Sequence, residues 1–414
     1  MANLSNYING EWLAGSGAEL ATIDPSTGRQ TWTSNASSPD DIARAAQAAH
    51  DSFEAWALTP LAERIAIATR FRDLLKDNAE SLAATIAEEV GKPLWEARTE
   101  VATMANKIDI SVQAHAARTG ESVAKVADGN AVLRHRPHGV FAVYGPYNFP
   151  GHLPNGHIVP ALIAGNTLLF KPSEYAPRTA VKTVQLWEQA GLPKGVLNLV
   201  NGGRDTGIAL GQQALIDGVL FTGSSQTGAA LHKQFGGQPG KMLALEMGGN
   251  NPLVVWGVED IDAAVHHTVM SAFISAGQRC TCARRLVIEN GAAGDAFLAR
   301  LVAVAAQLQV GPSNAEPQPF MGPVVSSAVA ARLVQAQEDM VAKGGKLLLA
   351  MRQLDPNTGF VTAGIVDTTD AQGIPDEEWF GPLLQVIRVA SFDDALRVAN
   401  ATQYGLAASL LSPS

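Results

Sequence analysis

The apolar positions of this chain change period along its length, and the change divides it. In the first part they recur three and four residues apart: Ile42, Ala46, Ala49, Phe53 and Trp56 form one run, and Ile65, Ile67, Phe71, Leu74 and Leu75 the next. That spacing gathers apolar side chains on one face of a helix. Ser38-Pro39-Asp40 supplies an N-terminal cap for the first helix, and Pro60 opens the second. Asn78 opens a third, ended by Gly91-Lys92-Pro93, and a fourth is expected over residues 94–118.

From Gly139 onward the pattern is one of short, continuous apolar runs. Residues 140–144, 167–170, 196–200 and 218–221 read as buried strands, with helices over 156–164, 176–190 and 206–214 between them. Strands alternating with helices predict a parallel sheet. Asn6 to Trp12 reads as a short hairpin turning at Asn9-Gly10. Residues 121–136 alternate weakly around Asp128-Gly129-Asn130 and predict a second hairpin, whose outer strand either pairs with another subunit or faces solvent. After residue 243, a helix over 261–276, strands near 286–288, 360–361 and 384–386, and helices over 295–308 and 326–342 predict a second α/β domain.

At 414 residues the chain exceeds one ordinary core, so two or more domains are expected. A hydrophobic share of 46% with 17% charged residues suits a well-buried α/β enzyme better than a disordered or fibrous chain. The net charge of −9 argues against nucleic-acid and anionic-membrane partners, which require a basic face. The two cysteines, Cys280 and Cys282, lie one residue apart and make no disulfide framework. With no further cysteine near them, no metal site is expected. Residues 1–10 lack a basic, apolar leader and no run approaches a membrane span, so the expected location is the cytoplasm.

In a parallel sheet ligands sit beyond the carboxyl ends of the strands. Here those ends carry Gly145 to Pro150, Lys171-Pro-Ser-Glu174 and Thr222 to Gly228. The last is a glycine-rich turn into a helix, where Ser224 can cap and backbone N–H groups can meet a phosphate. It is not a G-x-G-x-x-G fingerprint, and an ordinary capped helix fits the same residues. Lys171 and Glu174 beside it suit a nucleotide's phosphates and ribose, or equally a solvated charge pair. Glu246 ends an apolar run against Gly248 and Gly249, and is expected partly out of water, with the raised pKa of a general base. Gly277-Gln278 breaks the preceding helix and places Cys280 in a loop. Arg279, Arg284 and Arg285 are expected to lower the thiol's pKa, which would make it a nucleophile; a small, inert, buried cysteine is the alternative.

Asn148-Phe-Pro150, Lys171-Pro-Ser-Glu174, Phe221-Thr-Gly-Ser224, Leu245-Glu-Met-Gly-Gly249, Gly277-Gln-Arg-Cys280 and Glu377-Glu-Trp-Phe-Gly-Pro382 together resemble the ordered motif set of the NAD(P)-dependent aldehyde dehydrogenase superfamily. The six motifs cover nearly the whole chain in the family's order. Within it, Arg134 to Val140, Tyr147 to Pro160, Glu246 to Pro252 and Cys280 to Arg285 are similar to the N-succinylglutamate 5-semialdehyde dehydrogenase branch, which acts in arginine catabolism.

The resemblance implies an aldehyde dehydrogenase-like α/β fold. Residues 1–120 and 139–245 would form the parallel-sheet NAD-binding domain, 121–138 an oligomerisation hairpin and 246–414 the catalytic domain, with a homo-oligomer as the assembly. It implies that Cys280 attacks the aldehyde, that the Asn148 amide and the Cys280 backbone N–H stabilise the oxyanion, and that Glu246 activates water to release the acid. NAD would take the hydride. Lys171 and Glu174 match the adenosine-ribose contacts. Gly223, Ser224, Ser225, Gln226, Thr227 and Gly228 match the pyrophosphate turn, and Glu378 with Phe380 the nicotinamide-ribose side. Glu246 also separates the chain from CoA-acylating relatives, which depart from that motif. Glu174 near a 2′-hydroxyl favours NAD over NADP. For the carboxylates of the substrate, Arg118, His152, Asn155 and Arg279 are candidates by proximity alone, with structural roles the commoner reading. Family members continue past the segment matching Tyr404 to Ala408, so exposed apolar surface and an unpaired edge are expected there.

Overall fold

A computed structural model of the chain describes residues 3–413. It divides into two compact units, one built from residues 3–22, 30–89 and 97–246, the other from 23–29, 90–96 and 247–413.

The first unit holds, in chain order, β1 (Asn6–Ile8), β2 (Glu11–Leu13), β3 (Glu19–Ile23), β4 (Gln30–Asn35), α1 (Pro39–Leu58), α2 (Leu61–Asp77), α3 (Ala79–Val90), α4 (Leu94–Arg118), β5 (Glu121–Val126), β6 (Gly129–Arg134), β7 (Val140–Tyr144), α5 (His152–Ala164), β8 (Thr167–Lys171), α6 (Pro177–Gln189), β9 (Leu197–Leu199), α7 (Arg204–Gly211), β10 (Gly218–Gly223), α8 (Ser225–Phe235) and β11 (Met242–Met247). Helices α3 and α4 and strands β3 and β11 each pass from one unit into the other along the chain. The main sheet has the order β11-β10-β7-β8-β9-β1-β2. Its strands β10, β7, β8 and β9 are parallel, and β1 and β2 continue it antiparallel. Every residue of β7 and β8 is buried, which is why they read as continuous apolar runs. Helix α1 starts in a capping box: Ser38 Oγ accepts from Asp41 N, and the Asp41 carboxylate accepts from Ser38 N. Phe71 of α2 stacks on Trp187 of α6 with ring centroids 3.9 Å apart.

Strands β5 and β6 stand apart as a two-stranded ribbon, paired from Glu121 opposite Arg134 to Val126 opposite Gly129. The turn falls at Ala127-Asp128, one residue earlier than the sequence suggests. All positions of both strands are exposed, Val123, Val126, Val132 and Leu133 among them.

The second unit holds β12 (Pro252–Val255), α9 (Ile261–Phe273), β13 (Arg285–Glu289), α10 (Ala292–Ala305), α11 (Ser327–Ala342), β14 (Lys346–Leu349), β15 (Gly364–Asp367), β16 (Leu383–Val389), α12 (Phe392–Asn400) and β17 (Ser409–Leu411). Its sheet runs β14-β15-β16-β13-β12-β17, parallel except for β14. Phe273, Phe297, Leu286, Ile365 and Val386 lie in its core. Residues 360–361 form no strand, only a bridge between Val361 and Gln353. Strand β17 is one edge of this sheet and β14 the other, with Leu410 of β17 half exposed.

Candidate active site

In the first unit the chain builds β7, β8 and β9 outward in one direction, then returns to place β10 on the other side of β7. That reversal makes a switch point at the carboxyl ends of β7 and β10, where open α/β sheets bind ligands. Beyond β10, Ser224 caps α8: its Oγ accepts from Thr227 N at 3.2 Å and donates to Thr227 Oγ1 at 3.0 Å. Helix geometry gives the remaining first-turn amides, Ser225 and Gln226, no intrahelical carbonyl, and the helix dipole adds positive potential there. Gly228 is buried one turn on.

Lys171 ends β8, buried, with Nζ donating to Pro172 O at 2.9 Å and lying 3.8 Å from the half-exposed Glu174 carboxylate. Burial pushes the Lys171 ammonium down from its usual pKa, and Glu174 opposes it. A buried cation, an accessible carboxylate and a capped helix N-terminus thus share one sheet end, a donor set that fits a dinucleotide's hydroxyls and phosphates.

Asn148 is buried in the turn after β7. Glu100 of α4 holds the end of that turn, its Oε1 accepting from Gly151 N at 2.9 Å and His152 N at 3.1 Å. One turn into α5, His157 Nε2 meets Thr222 Oγ1 at 2.9 Å; burial first, then Lys107, push it down to about 4, so the ring is neutral. Neither Glu100 nor His157 stood out in sequence. The first sits in an amphipathic pattern like any surface glutamate, and the second lies inside a motif without its partner nearby in the chain.

Of the candidates for substrate carboxylates, Asn155 is buried and donates to Met104 O at 3.0 Å, which makes it a packing residue. Arg118 is exposed at the end of α4, and His152 is partly exposed at the start of α5. Glu246 departs from expectation. It is exposed on β11, the edge strand of its sheet, so the desolvation expected of it is not found.

In the second unit α9 ends at Phe273, earlier than the end at residue 276 expected from the sequence. Ser275 (φ 58°), Ala276 (φ 51°) and Gly277 (φ 68°) follow as three successive left-handed residues. Such a conformation costs a non-glycine residue about 1–2 kcal/mol, and it reverses the chain into the Cys280 loop. Only glycine fits the third position, since a Cβ on Gly277 would lie 2.2 Å from Gly381 O. Gln278 Oε1 accepts from Val325 N at 3.0 Å, and Asn251 Nδ2 donates to the carbonyls of Cys280 and Cys282 at 2.7 and 2.9 Å. The loop is therefore tied from several sides.

The three arginines do not surround the Cys280 thiol. Arg279 pairs with the buried Glu96 at 2.8 Å. Arg284 donates to Arg279 O at 2.8 Å, lies 3.9 Å from Glu378 and sits 5.4 Å from the centre of the Phe380 ring. Arg285 caps the end of α12 through the carbonyls of Val398 and Ala399. Burial, and then the Glu378 carboxylate, push the Cys280 thiol up, against the backbone N–H groups of Cys280 and Thr281. The lowered pKa read from neighbouring arginines is thus corrected: their charge is spent on carboxylates and carbonyls. Arg284 and Arg279 act instead on Cys282, which burial still pushes up. Glu378 is itself raised by burial against Arg284. It fits because residue 248 is glycine, where a Cβ would lie 1.7 Å from Glu378 Oε2.

Among the described residues no cluster of histidine, cysteine or carboxylate side chains could hold a metal ion, and no helix is long and apolar enough to cross a membrane. Comparison with known proteins supplies the wider context. The chain is 59% identical over 406 residues, 98% of its length and 83% of the relative's, to an N-succinylglutamate 5-semialdehyde dehydrogenase of Paraburkholderia xenovorans (strain LB400). Among solved structures it resembles a putative methylmalonate-semialdehyde dehydrogenase from Sinorhizobium meliloti 1021 complexed with NAD, with a TM-score of 0.93 at 27% identity, covering 100% of this chain and 86% of that one. It also resembles an NADP-dependent glyceraldehyde-3-phosphate dehydrogenase from Bacillus halodurans C-125 complexed with NADP, with a TM-score of 0.92 at 29% identity, covering 100% and 87%. The model of the aldehyde dehydrogenase family matches residues 12–414, nearly the whole length, and the chain belongs to that family.

Proposed function

We propose that this chain oxidises N-succinylglutamate 5-semialdehyde to N-succinylglutamate with NAD, as a step of arginine catabolism. The observation that carries this reading is the 59% identity to a dehydrogenase of that name over nearly the whole chain.

In this reading the Cys280 sulfur, losing its proton, bonds to the aldehyde carbon, and the carbonyl electrons move to oxygen. The Cys280 backbone N–H and the Asn148 amide receive that negative charge. Lys171, Glu174 and the turn from Gly223 to Gly228 hold the dinucleotide, with Glu378 and Phe380 on its nicotinamide-ribose side. When bound, the nicotinamide accepts the hydride released from the aldehyde carbon, which leaves a thioester on Cys280. Glu246 takes a proton from the water that attacks the thioester carbonyl, and Cys280 leaves as thiolate. Exposure of Glu246 supports that role, because a base for water must reach water.

Glu174 supports NAD over NADP, since a carboxylate beside the ribose repels a 2′-phosphate. The exposed ribbon of β5 and β6 supports a homo-oligomer assembled through it. Two cysteines in no disulfide framework support a reducing compartment, the cytoplasm.

The test is NADH formation by the purified chain with N-succinylglutamate 5-semialdehyde, glutamate semialdehyde and methylmalonate semialdehyde in parallel. The succinylated substrate should give the highest kcat/KM; preference for either of the others overturns the substrate. Cys280→Ala should abolish oxidation and retain NAD binding, whereas Glu246→Gln should let one equivalent of NADH form quickly and then stall. Sustained turnover by the cysteine variant would refute the nucleophile.

A further inference from the structure

Glu96 opens α4, is completely buried, and has no part in the chemistry above. Its carboxylate accepts from the Ser275 hydroxyl and from Arg279 Nη2 at 2.8 Å. Those two partners stand at either end of the chain reversal and bond each other, with Arg279 Nε donating to Ser275 Oγ at 2.7 Å. A carboxylate, a hydroxyl and a guanidinium thus close a triangle across the left-handed residues Ser275, Ala276 and Gly277. Backbone in such a conformation persists only where its surroundings over-determine it.

The triangle lies one residue from the sulfur. The Arg279 carbonyl, which accepts from Arg284 Nη2 at 2.8 Å, belongs to the peptide group that carries the Cys280 N–H. Fixing Arg279 on one side, while Asn251 holds the Cys280 carbonyl at 2.7 Å on the other, sets the directions of both that N–H and the Cα–Cβ bond. Arg279 is thereby committed to the loop and not to substrate.

We propose that Glu96 is a positioning residue for Cys280: through Ser275 and Arg279 it holds the left-handed reversal that aims the thiol and its backbone N–H at the reacting carbonyl. This rests on the reading of Cys280 as the nucleophile.

The test compares Glu96→Gln, Arg279→Lys and the double variant Glu96→Gln/Ala276→Gly in the full chain, with Cys280→Ser as a control. Four quantities are read: kcat and KM for the semialdehyde, NAD affinity, the melting temperature, and the rate of Cys280 alkylation by iodoacetamide, assigned by peptide mass mapping. Glu96→Gln should lower both kcat and the alkylation rate about tenfold or more, with NAD affinity within about twofold, because misaimed groups lose rate and not remote binding. Adding Ala276→Gly, which removes the Cβ strain at a left-handed position, should recover both rates at least about threefold. Arg279→Lys keeps the charge without the planar fork and should fall between.

A folded Glu96→Gln with both rates within about twofold of the parent overturns the proposal, as does a loss that Ala276→Gly fails to recover. Should Glu96→Gln not fold, Glu96→Asp and Arg279→Lys carry the same comparison by the same criteria. Aldehyde oxidation by Cys280→Ser would sink the nucleophile reading alone, since alkylation reports on loop geometry without turnover.

Discussion

At the scale of single residues, the Cys280 thiol is governed by what surrounds it in space and not by its neighbours in the chain. Its burial and the Glu378 carboxylate both favour the protonated form. Alkylation of the parent therefore rises with pH only above the ordinary thiol range. Glu378→Gln removes the largest raising influence after burial and should move that rise to lower pH. A midpoint that stays or climbs in a pH series with iodoacetamide would contradict this electrostatic account. Gly277 offers a second residue-level prediction. Gly277→Ala adds both a left-handed strain and a Cβ 2.2 Å from Gly381 O, and should lower stability by about 3 kcal/mol in urea unfolding.

At the scale of elements, helix α6 owes its start to a carboxylate from another helix. Glu89, at the end of α3, accepts from Arg178 N, Thr179 N and Thr179 Oγ1 at 2.6 to 2.8 Å. Burial nevertheless pushes it up to about 7 against those donors. A carboxyl that holds its proton more tightly folded than unfolded lowers stability as pH rises from the ordinary carboxylate range through about 7. Glu89→Gln should flatten that decline; urea unfolding at several pH values reads it, and equal slopes in parent and variant would refute it.

Elements were legible where one physical cause dominated. The amphipathic spacing of α1 and α2 and the two-sided burial of β7 and β8 leave little choice of structure. The end of α9 was not legible, because Ser275 and Ala276 have acceptable helix propensity and their left-handed backbone is imposed by Glu96, far off in sequence. For the same reason Arg279, Arg284 and Arg285 could not be assigned from proximity to Cys280. Each finds its partner elsewhere: in Glu96, in the 378–381 segment, or at the end of α12. Glu246 was misjudged because an apolar run does not tell an edge strand from a central one.

At the scale of the whole molecule, the two units differ in what they offer. One carries a switch point suited to a dinucleotide and the other a braced thiol. Glu174→Gln should raise the ratio of NADP to NAD kcat/KM at least about tenfold if the carboxylate excludes a 2′-phosphate; an unchanged ratio would remove it from cofactor choice. The ribbon of β5 and β6 makes its own prediction. Because Leu133 is exposed, Leu133→Asp should shift the melting temperature little while lowering the mass seen by sedimentation, and an unaltered mass would exclude the ribbon from assembly. The ribbon also has a consequence for handling the protein. Lys125 and Arg134 stand on exposed strands that, among the described residues, pair only with each other. Trypsin should nick the dilute protein there first and progressively spare it as concentration rises, so that resistance to digestion becomes a measure of self-association.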